Sequence, residues 1–164
     1  MGAVQTVFGS LKNYEKGRVE TIDDDPKHYV FSNVFEVASK SKAYEKVCVA
    51  QNLKYVIECL RAEGNSPWFA AAHDEAALVM DGQVEVHYIK PNSAPVPETK
   101  EGTVRLSGDP QGQDMGWVKC GRGHMALLPK GAAYQFRSKS PSVVLIQTIR
   151  GDNTIARWAE ICQR

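Results

Sequence analysis

Residues 68–82, WFAAAHDEAALVMDG, and residues 123–134, GHMALLPKGAAY, decide how this chain folds. In the first stretch, apolar runs flank His73-Asp74-Glu75 and read as two short strands. Asp81-Gly82 ends the second run, and MDGQVEVHYI then starts another. An Asp-Gly pair between apolar runs is a strong hairpin signal, because glycine takes φ > 0 without steric cost. In the second stretch, Pro129-Lys130-Gly131 spells a turn: proline sets φ and glycine supplies the left-handed position. Beyond Gly82 the pattern alternates, with Val84, Val86 and Tyr88 on one face and Glu85 and His87 on the other, the period of a half-buried strand.

Working outward, strand signals recur. Residues 28–37 (HYVFSNVFEV), 46–50 and 55–62 are rich in β-branched and aromatic side chains. Residues 117–120, 124–128, 133–136 and 143–149 continue the series. Residues 1–26 are polar, end in Asp23-Asp24-Asp25-Pro26 and read as an arm. Residues 91–114 carry four prolines and few apolar side chains, a long loop with room for a short strand near Val104. From Thr154 the run TIARWAEIC has helical spacing, with Asp152 or Asn153 as cap, and is the only clear helix expected. The expectation is an all-β chain: one domain over residues 1–164, a small barrel of two packed antiparallel sheets with a short C-terminal helix.

Composition narrows the function classes. A chain of 164 residues with 43% hydrophobic content can bury a substantial core. A net charge of +1 argues against a dedicated nucleic-acid or anionic-membrane surface. No apolar run approaches a membrane span, and the N-terminus has no signal-peptide pattern, so the cytoplasm is the expected location. Cys48, Cys59, Cys120 and Cys162 form no CxxC pair and sit among apolar residues, which reads as free buried thiols.

The two quoted stretches together resemble the signature motifs of the cupin superfamily, a β-barrel fold. Its first motif places two histidines one apart, then a glutamate, then six residues and a glycine. Glu75 and Gly82 match, but the histidine positions hold Phe69 and Ala71, or Trp68 and Ala70 at the longer spacing. Its second motif is a glycine, five residues, Pro-x-Gly, two residues and then a histidine; Gly123, Pro129 and Gly131 match, and Tyr134 replaces the histidine. A mononuclear iron site needs several imidazole or carboxylate donors, and phenyl and methyl groups have no lone pair to offer. The motifs keep their backbone-shaping residues and lose three of four metal ligands, so no metal is expected on this chain.

A narrower likeness runs through FSNVFEVASKSKAYEKV, NLKYVIECLRAEGNSPWFAAAHDEAALVMDG and QTIRGDNTIARWAEICQ, nearly the whole chain. These segments resemble the small (alpha) subunit of the two-subunit hydroquinone 1,2-dioxygenases. The resemblance implies a larger cupin subunit as partner, carrying the Fe(II), and a small subunit that binds no iron. It implies ring cleavage of hydroquinone by oxygen to 4-hydroxymuconic semialdehyde, within para-nitrophenol breakdown.

Among single residues, Trp68, His73, Glu75 and Tyr134 are the substrate-pocket or vestigial-site candidates. Trp68 sits beside a lost ligand position and is suited to stack on a ring, or to pack as a core or interface aromatic. His73 and Glu75 share a strand face if the segment is extended. Tyr134 has a hydroxyl that can bond Glu75 across the barrel. His87 is the rival ligand for a His73–Glu75–His87 set. Phe31, Phe35, Trp117 and Trp158 are interface candidates. Two other readings fit the residues: a stand-alone metal-free cupin isomerase working through His73 and Tyr134, and a small-molecule binding cupin.

Overall fold

The structure, a computed structural model, describes residues 33–161. The arm and Phe31 lie outside the described residues. A sheet of ten strands curls on itself, consistent with a cupin barrel. The expected small all-β barrel is present, and its two halves are joined because a single strand runs through both. That strand, β9 (Ala133–Ile149), is 17 residues long. Its first half pairs with β5 (Gln83–Pro91) and, on the other side, with β3 (Phe69–Ala70). Its second half lies between β2 (Tyr55–Asn65) and β4 (Glu75–Asp81). Between the halves the register with β2 shifts at Ala62/Gly64, where Ser142 and Ser138 face successive β2 partners; such a bulge bends the strand and tightens the twist.

Four expectations need correction. The 28–37 strand is not formed at its described end. Residues Val34–Lys40 are helix α1, because the Asn33 side chain accepts from the Phe35 and Glu36 amides and caps the turn. α1 is also longer than the C-terminal helix α2 (Trp158–Ile161), so the latter is not the only one. α2 starts later than expected: Thr154–Ile155 form strand β10, in parallel register with Lys46 and Val47 of β1 (Lys46–Asn52). Finally, Asp81-Gly82 is a corner and not a hairpin, since β4 and β5 pair with different stretches of β9. Gly82 has φ +79°, and a Cβ there would stand 2.1 Å from Ser142 Oγ, so only glycine fits the corner.

Residues 91–114 are more ordered than a bare loop. They contain β6 (Val104–Arg105), paired with β3, and run into β7 (Gly112–Gly121), which pairs with β5. The strand β8 (Met125–Leu128) pairs with β4. Inside the curl, Leu60, Phe69, Val84, Val86, Leu128, Tyr134, Phe136 and Ile146 form the main core. A second cluster, Val37, Ala38, Val47, Val49 and Cys59, lies under α1 on the outside of the sheet. Cys48, Cys59 and Cys120 are buried and free.

Candidate functional site

The motif residues converge inside the barrel. Glu75, the first residue of β4, alternates inward with Ala77 and Val79 and is only 2% exposed. Burying a carboxyl demands partners, since a charge without hydrogen bonds is costly in low dielectric. Glu75 has three, all hydroxyls. Thr148 donates to Oε1 at 2.6 Å and Thr103 to the same oxygen at 2.5 Å. Tyr134 donates to Oε2 at 2.6 Å. Three donors and no acceptor is the pattern that suits a carboxylate. His73 Nε2 lies 2.9 Å from Thr148 Oγ1. The same Nε2 accepts from the Ile149 amide at 3.3 Å, and Thr148 Oγ1 stands between His73 and Glu75 as their common neighbour.

Burial, reinforced by the Glu75 charge, raises the Tyr134 hydroxyl well above the ordinary tyrosine range, so it remains a donor. Its ring packs 5.9 Å from Phe69 and 5.5 Å from Phe136. Thr103 reaches Glu75 from the 91–114 segment, and its carbonyl accepts from Asn153 Nδ2 at 2.9 Å. Behind it Gly102 and Gly151 touch backbone to backbone; a Cβ on Gly102 would lie 2.4 Å from the Gly151 Cα. The cluster therefore ties β4, β9 and the segment before β6 into one closed end of the barrel.

A second buried polar pair lies nearby. Lys46 and Glu58, both nearly without exposure, stand 3.4 Å apart. Thr154 donates to Glu58 at 2.6 Å, and Lys46 Nζ sits 4.8 Å from the Phe69 ring centre. The strand period held a signal for Glu58: Val56, Leu60 and Ala62 point inward, so Glu58 between them must as well. The same period reaches Thr148, which continues the inward series Val144 and Ile146, whereas Thr103 carries no such signal.

The other sequence candidates fall elsewhere. Trp68 is buried, its indole N–H donating to Asp109 Oδ1 at 2.9 Å and its carbonyl accepting from Leu106. It holds the 91–114 segment down. His87 is on the outer face, bonded to Glu85 at 3.0 Å and stacked on Trp117 at 5.8 Å, away from Glu75. Trp117 is exposed on β7, Phe35 is exposed on α1, and Trp158 lies on α2.

The residues around Glu75 do not fit an iron ion. Both Glu75 oxygens are engaged by hydroxyls, and the neighbouring ligand positions hold Phe69, Ala71 and Tyr134. Among the described residues, no group of three or more His, Cys, Asp or Glu side chains stands close enough to hold a metal. No helix among them is long and apolar enough to cross a membrane.

No family model matches the sequence, and no curated protein does. Solved structures do. The chain is 53% identical to one in a crystal structure of hydroquinone 1,2-dioxygenase PnpCD with Cd2+ and 4-hydroxybenzonitrile, covering 99% of this chain and 98% of that one at a TM-score of 0.80. It is also 53% identical to a chain of hydroquinone 1,2-dioxygenase from Sphingomonas sp. TTNP3 with 4-hydroxybenzoate bound, covering 98% of each at a TM-score of 0.81. A different chain, in a PnpCD structure with Fe3+, shares only 12% identity but the same fold at a TM-score of 0.55, over 74% of this chain and 32% of that one. With such identity sustained from end to end over the barrel described above, the chain belongs to the hydroquinone 1,2-dioxygenase family of cupin-fold proteins.

Proposed function

We propose that this chain is the small subunit of a hydroquinone 1,2-dioxygenase, and that it binds no iron and works by assembling with a larger Fe(II)-bearing cupin subunit. The complex cleaves the ring of hydroquinone with both atoms of oxygen to give 4-hydroxymuconic semialdehyde, in the cytoplasmic breakdown of para-nitrophenol and related phenols. Residues 1–164 make one cupin domain in this reading. The carrying observation is Glu75. It is the one ligand-type residue the motifs retain, and Thr103, Thr148 and Tyr134 occupy both of its oxygens. The match to a third of a second chain in PnpCD supports a longer cupin partner. Co-expression with that partner tests the reading. One complex containing both chains should purify, with iron present and ring cleavage dependent on both. Full turnover by the larger chain alone, or stoichiometric iron on the isolated small chain, would overturn it.

A further inference from the structure

The outer surface of the sheet opposite the Glu75 side carries an apolar face that the described residues leave open. Strand pairing puts Ile57, Gln147, Ala76 and Leu127 in one row across β2, β9, β4 and β8. The next row is Cys59, Leu145, Leu78 and Met125, and on the other side Tyr55 pairs with Ile149. α1 covers only the Cys59 and Leu145 end. Beyond it Met125 is 67% exposed, Leu127 60% and Tyr55 58%. None of these rows contains an acidic or basic side chain. Alternation explains why: Ala126 and Leu128 fill the core, so Met125 and Leu127 must point out.

We infer that this face is where the chain docks its larger partner, sheet against sheet, an inference that rests on the subunit reading above. Three observations select that occupant. Tyr55, Ile57, Met125 and Leu127 are all large exposed hydrophobics gathered on one face, and a contiguous apolar patch of this kind marks a protein contact. It is four strands wide and its rows hold no charge, which suits another sheet face packed about 10 Å away and does not suit a charged peptide. And PnpCD crystals hold a second kind of chain, part of which has this same barrel fold and therefore a sheet face of this shape. The outer face of β5 and β7, by contrast, bears Glu85, His87 and Lys119 around Trp117.

Hydroxyl-radical footprinting of side chains, on the isolated chain and on the complex with the larger chain, tests this. Tyr55, Met125 and Leu127 should be oxidised readily in the isolated chain and at least tenfold more slowly in the complex. Ile57→Asp and Leu127→Asp, at exposed positions, should each weaken association at least 100-fold and leave the thermal midpoint of the isolated chain in place, while Trp117→Ser should not weaken it. A complex that forms normally with both Asp variants overturns the docking face and leaves the subunit reading standing. Protection already present in the isolated chain assigns the face to a second copy, if concentration-dependent, or to residues 1–32, if not; either result overturns the inference. Failure of the parent chain to bind any larger chain overturns both readings.

Discussion

Tyr134→Phe is the sharpest test of the closed cluster. The substitution deletes one oxygen and keeps the ring, so the contacts with Phe69 and Phe136 stay and no methyl-sized cavity opens. What goes is a 2.6 Å hydrogen bond to a carboxyl that is 2% exposed. Hydrogen bonds to charged groups contribute about 1.5–3 kcal/mol, and water has no access to replace this one. The expected loss is therefore about 2 kcal/mol. For a chain of this length each kcal/mol moves the midpoint by about 2–4 °C, so a fall of about 4–8 °C is expected by differential scanning calorimetry at neutral pH. Tyr55→Phe, whose hydroxyl is on an exposed ring, is the control and should change stability by less than about 0.5 kcal/mol. Glu75→Gln combined with Tyr134→Phe should cost less than the two changes separately, because both act on one bond; couplings of about 0.5–3 kcal/mol are usual for such pairs. A midpoint for Tyr134→Phe within 1 °C of the parent, about the size of the control, would show that the hydroxyl does not satisfy Glu75.

Alkaline unfolding should report the same residue. The folded chain holds the Tyr134 proton more tightly than the unfolded chain, so its contribution is intact below pH about 10 and is lost as pH rises beyond. Tyr134→Phe should flatten that decline in denaturant titrations, and an unchanged slope would count against it. Lys46→Met should destabilise by about 3–5 kcal/mol, since it strands a buried Glu58, and adding Glu58→Gln should recover part of the loss in urea melts. Burial pushes the Cys59 thiol up to about 12, so peptide mapping after alkylation of the native chain at pH 8 should find Cys59 unmodified; rapid native labelling would refute its burial.

Local rules made much of this chain legible in sequence. Alternation in 84–89 placed Val84 and Val86 inward, and the spacing of Glu75 to Gly82 and the Pro129-Lys130-Gly131 turn pointed to the barrel. These depend on a side-chain period of two and on turn residues, both properties of residues a few positions apart. Where local signals competed, the tertiary structure decided. Residues 34–37 satisfy a strand pattern, yet a single Asn33 cap and the apolar bed of Val47 and Cys59 turn them into helix. Asp81-Gly82 specifies a turn but not its pairing; that followed from the length of β9, which gives β4 and β5 separate stretches to bond. The partners of Glu75 lie 28, 59 and 73 residues away along the chain, Thr103 before β6 and Tyr134 and Thr148 at the two ends of β9. Alternation turns both β9 residues inward, but no local pattern brings them or Thr103 to Glu75. They meet because a buried carboxyl must be satisfied by whatever hydroxyls the closed barrel brings to it, and only the closure determines which those are.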